Sequence, residues 1–316
     1  MRATRRVFLQ ASAAAGVLPA VQDPAPSSGA AQDPPLAEAE PLTGSRDVDG
    51  GGRMTVPVRI NGLGDFAFVV DCAAEASVIS RDLATRLGLT PTGRLTMHSL
   101  AGSEQVDTVR AASLTSGALR RHDARLILGL PSALGDVDGL LGADLLEGHR
   151  LIFRFGLRPS ITVEVSRAAW IWPFSGRQRI RFETSTTRAR GGLLTFSVQV
   201  GAVQTTVILD SGAAISVINP ALAQAAGAVA LAPSVLLHDH LISPTGLEIA
   251  VQPFLLSGLR FGGLQMRNQP VLAANLHTFG VLGLAEQPAM LMGMDVLGQF
   301  REVVIDMRRG ELVLQR

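Results

Sequence analysis

The sequence predicts an all-β chain with a few short helices, folded as two similar lobes. Three observations predict it. A block around Asp71 recurs without a gap around Asp210, at an offset of 210 − 71 = 139 residues. Apolar residues alternate with polar ones just before each block, which is the period of a half-buried strand. Each half then carries a glycine-centred apolar block and ends in a further alternating run.

The elements follow in order. Val56, Val58 and Ile60 alternate and lead into the turn Asn61-Gly62; Phe196, Val198 and Val200 repeat the pattern before Gly201-Ala202. Second strands, from Phe66 to Val70 and from Thr205 to Leu209, run straight into the two aspartates. Ser77-Val78-Ile79 then matches Ser216-Val217-Ile218. Ser80 is predicted to cap a helix over residues 81–87, and Asn219 a helix with Pro220 at its first position; Gly88 and Gly227 end them. The later blocks, 139–146 and 290–297, centre on Gly142 and Gly293. Their offset is 293 − 142 = 151, so the second half holds twelve extra residues, expected as one loop insertion.

The ends of this repeat divide the chain. Arg5 and Arg6 are followed by Phe8 and Leu9 and by a weakly apolar run over 11–20. This resembles a twin-arginine export signal, so residues 1–20 are expected to be a signal peptide leading to the periplasm or the outside. The run is too short to span a bilayer, and no stable membrane insertion is expected once it is removed. Residues 21–52 are rich in Pro, Ala, Ser, Gly and acidic residues without periodicity, and are expected to form a disordered linker. The first lobe is then 53–166 and the second 181–316. A connector over 167–180 carries both tryptophans, Trp170 and Trp172.

Composition narrows the function. The net charge is +1, every basic residue is arginine, and no basic block lies beyond the N-terminus, so nucleic acid has no footprint. Cys72 is the single cysteine, which excludes an intramolecular disulfide and a cysteine-based zinc site. Of the six histidines only His238 and His240 stand together, so neither metal nor cofactor is expected.

Leu209-Asp210-Ser211-Gly212-Ala213, then Ser216-Val217-Ile218, then the block around Gly293 with Asp295, form a pattern that is similar to the retropepsin-like aspartic proteases of bacteria. The likeness runs over roughly residues 54–316, twice in one chain. It implies a pepsin-like pair of lobes in a monomer with pseudo-two-fold symmetry and no cofactor. It further implies that Asp71 and Asp210 face each other as the catalytic pair and hydrolyse a peptide or protein substrate. One carboxylate would activate water while the other protonates the carbonyl oxygen. In such enzymes the residue after each aspartate bonds across the lobe interface and the next leaves backbone clearance. By that likeness Ser211 and Gly212 support Asp210, and Cys72 and Ala73 support Asp71. Gly142 and Gly293 would lie in the loops beneath the pair, with Asp144 and Asp295 supporting those loops. Gly102 and Gly246 would sit in flap hairpins above it.

The first half departs from the pattern. It reads Asp71-Cys72-Ala73, placing a weak thiol donor where a hydroxyl is expected and a Cβ where glycine is usual. The sequence therefore supports two readings: an exported aspartic endopeptidase, or a catalytically inactive peptide-binding relative of the same fold.

Overall fold

The structure, a computed structural model, describes residues 42–45, 49, 51–167, 179–183, 185–186, 193–235 and 239–316. The twin-arginine stretch, Trp170, Trp172 and His238 lie outside the described residues.

After β1 (Leu42–Ser45), the first lobe runs β2 (Thr55–Ile60), β3 (Leu63–Val70), β4 (Val78–Ser80), α1 (Arg81–Arg86), β5 (Pro91–His98), β6 (Ser103–Ser116), β7 (Leu119–Gly129), α2 (Pro131–Leu134), β8 (Gly139–Leu141) and α3 (Ala143–Leu146). β9 (His149–Arg154) and β10 (Ser160–Val165) leave it. The second half opens with β11 (Arg179–Glu183) and β12 (Ser185–Thr186). It continues through β13 (Leu194–Val200), β14 (Val203–Leu209), β15 (Val217–Ile218), α4 (Pro220–Ala225), β16 (Val229–Ala230), β17 (His240–Ile242), β18 (Glu248–Ala250), β19 (Gln252–Phe261) and β20 (Leu264–Ala273). Then come α5 (His277–Val281), β21 (Ala289–Met292), α6 (Met294–Leu297), β22 (Glu302–Asp306) and β23 (Glu311–Gln315).

Each lobe closes on itself. The first has strand order β2-β3-β8-β4-β7-β6, and β2 pairs again with β6; the second has β13-β14-β21-β15-β20-β19, and β13 pairs with β19. Two six-stranded barrels of the same topology result. Closure removes the edges that an open sheet would expose. Val56, Val58 and Ile60, and Phe196, Val198 and Val200, all point into the core, as their alternation predicts. The helix caps also form: Leu83 N donates to Ser80 Oγ (3.1 Å) and Leu222 N to Asn219 Oδ1 (2.9 Å).

A third sheet joins the halves, in the order β1-β10-β9-β22-β23-β11. At its centre Ile152 pairs with Val304 and Phe153 with Val303. The repeat offset of 151 makes Ile152 the equivalent of Val303 and Phe153 that of Val304. The register is thus self-complementary, as a two-fold axis between β9 and β22 requires. Beside the axis, buried Arg150 donates through Nη2 to Asp306 Oδ2 (2.9 Å) across the halves.

Three expectations need correction. The linker is ordered near its end: Leu42–Ser45 pairs antiparallel with β10, and Asp49 is bonded to Arg53. An outermost strand held by main-chain pairing needs no apolar alternation, so the sequence carries no sign of it. Arg179 and Ile180, placed in the connector, belong to β11. Finally, the twelve extra residues are two insertions of six. Gly117 and Gly262 (φ 54° and 55°) turn the equivalent hairpins at an offset of 262 − 117 = 145. One insertion therefore precedes β19, around the β17–β18 hairpin, and the other surrounds α5.

Candidate active site

Asp71 and Asp210 sit where β3 and β14 leave their barrels. Each backbone amide is held by the glycine-block strand beside it: Asp71 N donates to Leu141 O (2.9 Å) and Asp210 N to Met292 O (3.0 Å). Each chain then turns back over its own carboxylate. Asp71 Oδ1 accepts from Ala73 N and Ala74 N, both at 2.9 Å. Asp210 Oδ1 accepts from Gly212 N (2.8 Å) and Ala213 N (2.9 Å). The Oδ2 atoms of both are buried without a protein hydrogen-bond partner.

The two aspartates face each other closely enough that a Cβ on Gly212 would lie 2.3 Å from the Asp71 carboxyl carbon. Glycine is obligatory there. Both side chains are fully buried. Burial pushes both carboxyls well above the usual carboxylate range, and the Asp71 charge raises Asp210 further; the turn amides and Arg53 oppose this in both. Such a pair retains a proton at pH values where an exposed aspartate has lost it.

The neighbours of the pair bond across the lobes. Ser211 Oγ accepts from Cys72 N (3.0 Å) and donates to Val70 O (2.8 Å). In the mirror positions Cys72 Sγ accepts from Ser211 N (3.4 Å) and donates to Leu209 O (3.6 Å). The sulfur fills the hydroxyl's place with longer, weaker bonds. Burial pushes the Cys72 thiol up to about 12, so it is no thiolate nucleophile.

Beneath the pair, Gly142 and Gly293 lie against the turns they support. A Cβ on either would meet a turn carbonyl, Ala74 O or Ala213 O, at 2.8 Å. Gly142 N donates to Ser77 Oγ, which donates to Asp144 Oδ1 (2.7 Å); Gly293 N, Ser216 Oγ and Asp295 Oδ1 (2.6 Å) repeat the relay. Asp144 and Asp295 therefore anchor loops, and Ser77 and Ser216 prove to be their links.

Above the pair lie two hairpin tips, each docked on the opposite lobe. The β5–β6 tip carries Leu100, which is fully buried in an apolar cluster with Ala73 and Ala213; its carbonyl accepts from His277 N (2.7 Å) at the start of α5. The β17–β18 tip offers Pro244 O to Leu130 N (2.8 Å) before α2. Gly102 (φ 159°) and Gly246 (φ 100°) are in these tips; a Cβ on Gly246 would lie 2.5 Å from Leu130 Cδ1. The His98 and His277 rings stack beside the first tip and share a 3.0 Å Nδ1···Nε2 hydrogen bond. The tips shut the site.

Sequence reasoning missed three residues here: His98, His277 and Arg53. The histidines are 179 residues apart and match no repeated position, so nothing in the sequence pairs them. Arg53 stood at the edge of a segment expected to be unstructured. Among the described residues no three His, Cys, Asp or Glu side chains cluster to hold a metal, and no helix is long and apolar enough to cross a membrane.

Comparison with known proteins fits this arrangement. No curated protein matches. A retropepsin-like aspartic protease from Rickettsia conorii, known from its crystal structure, is similar at 20% identity over 44% of this chain and 100% of that one, with a TM-score of 0.31. The family model described as aspartyl protease matches twice, over residues 56–145 and 196–296, one match in each barrel. These matches take in more than half of the chain, including both aspartates and both glycine blocks, and the chain belongs to the aspartyl protease family.

Proposed function

We propose that the protein is an exported aspartic endopeptidase, acting as a monomer, in which Asp71 and Asp210 hydrolyse peptide bonds. The observation that carries this reading is the pair itself: two buried, facing carboxyls with matching inner hydrogen bonds and unpartnered outer oxygens. Their Oδ1 atoms are fixed by two amides each, which leaves Oδ2 for chemistry. The ionised member takes a proton from water as it attacks the peptide carbonyl carbon, and the protonated member gives its proton to the carbonyl oxygen. Collapse of the tetrahedral diol breaks the C–N bond, and the amine leaves with a proton from the pair. Substrate access requires the docked tips to lift, breaking the Leu100–His277 and Pro244–Leu130 bonds. An extended peptide then takes up hairpin main-chain pairing in the cleft.

The test is cleavage of a diverse peptide library by the chain from Val21 onward, across pH 3–8, beside Asp210→Asn. Cleavage lost in the variant supports the reading. A second reading, a peptide-binding relative without turnover, is favoured by the long sulfur bonds at Cys72. Saturable peptide binding by the folded wild type with no cleavage at any pH would establish it instead.

A further inference from the structure

The active site is not symmetric in charge. Arg53 lies just before β2 with its side chain only 1% exposed, and Asp49 beside it is 5% exposed. Arg53 Nε and Nη2 both reach Asp49 Oδ2, at 2.6 and 2.5 Å. Asp49 Oδ1 accepts from Gly51 N (3.1 Å) and Arg53 N (2.8 Å), so the acid is fixed by the turn it starts. Arg53 also spans both lobes: Nη2 donates to Leu134 O (3.2 Å) in lobe one and Nη1 to Gly212 O (3.4 Å) in lobe two. The turn itself presses on lobe two, since a Cβ on Gly51 would lie 3.1 Å from Ala214 Cβ.

Gly212 is the residue whose amide binds Asp210 Oδ1 and whose backbone abuts the Asp71 carboxyl. In the sequence the repeat offset matches Arg53 to Gly192, so the second copy carries no cation at the equivalent position. Among the described residues, Arg53 is the cation that acts on both carboxyls.

We propose that Arg53, aimed by Asp49, is a positioning residue for the aspartate pair: it ties Gly212 across the lobe interface and sets buried positive charge near Asp71 and Asp210. This inference rests on the proposed reading of that pair. Its consequence is that the segment before the first repeat is part of the active site. Arg53 opposes the upward push of burial on both carboxyls. Asp49, ion-paired to Arg53, places the opposite charge beside it.

The two charges make opposite predictions. Arg53→Met removes the cation and should move the titration of the pair up by about one pH unit, a tenfold change in ionisation. Asp49→Asn leaves the cation, still held by the Leu134 and Gly212 carbonyls, and should move it down. Simple loosening of the site would move both variants the same way. The readout is the carboxyl ¹³C titration of the aspartates in the chain from Val21 onward, which needs no turnover. Arg53→Lys should recover part of the shift. With a cleaved peptide in hand, Arg53→Met should also lower kcat about tenfold or more with KM little changed, and shift the acid limb of the rate profile upward. Shifts of the same sign in the two variants, or no shift in folded Arg53→Met, would overturn the proposal. Should Arg53→Met not fold, Asp49→Asn and Arg53→Lys decide it by the same signs. If the wild type cleaves nothing but the opposite shifts appear, this inference stands and the peptidase reading falls.

Discussion

Asp210→Asn should stabilise the protein near neutral pH while removing its hydrolytic chemistry. The substitution is nearly isosteric. Asn Oδ1 keeps the amides of Gly212 (2.8 Å) and Ala213 (2.9 Å), and its Nδ2 gains a donor that can face Asp71 Oδ2. The magnitude follows from proton linkage. Burial and the Asp71 charge raise the folded Asp210 carboxyl well above its ordinary 3.8, so as pH rises past about 4 it keeps its proton in the native state where the unfolded chain has lost it. Holding that proton costs about 1.4 kcal/mol for each pH unit between the unfolded value and the folded one. The sign is that of a raised carboxyl: its contribution is intact below about pH 4 and is lost as pH rises toward the folded value. Urea unfolding of both proteins from pH 4 to pH 8 measures the difference. The curves should meet near pH 4 and diverge with a slope of about 1.4 kcal/mol per pH unit. Parallel curves would refute proton retention by the buried pair, and with it the physical basis of the proposed mechanism.

Three further outcomes are expected. Ser211→Ala strands the buried Cys72 N–H and Val70 carbonyl and should cost about 2–4 kcal/mol, whereas Cys72→Ala, which breaks only long sulfur bonds, should cost about half that; denaturant midpoints compare them. Gly246→Ala forces a side chain onto φ 100° and against Leu130, so the second tip should undock, read as amide exchange at Leu130 at least tenfold faster than in the wild type. Burial, with the charge of His98, holds His277 below its ordinary 6.5, so its contribution is complete above about pH 6.5 and is lost as pH falls through that value. Exchange at the His277 amide, corrected for intrinsic rate, should therefore accelerate relative to Leu130 between pH 7 and pH 5, and His98→Ala should reduce that difference.

Much of the framework was legible because it is repeated. Two copies of one pattern made each strand, cap and turn testable against its equivalent, and Ser80 and Asn219 cap the helices that their positions implied. The pairing of Asp71 with Asp210 followed from the same repeat. What could not be read lies where the copies differ. β1 is held by main-chain bonds, which carry no side-chain code. The two six-residue insertions share one net offset, so the sequence shows their sum and not their division. His98 meets His277, and Arg53 meets Gly212, only through tertiary closure.

Those differences also surround the pair itself. Two facing carboxyls divide the roles of base and acid by sharing one proton, and unequal surroundings bias which of them holds it. Here the halves are matched in their inner hydrogen bonds but not around them. Ser211 grips its neighbour lobe with oxygen and Cys72 with sulfur, glycine stands beside Asp71 and alanine opposite it, and among the described residues Arg53 braces the turn of lobe two. Burial raises both carboxyls, and their mutual repulsion makes them titrate as one coupled pair that holds a shared proton. The duplicated fold supplies the meeting of the two acids, and the residues that differ between its halves make their surroundings unequal.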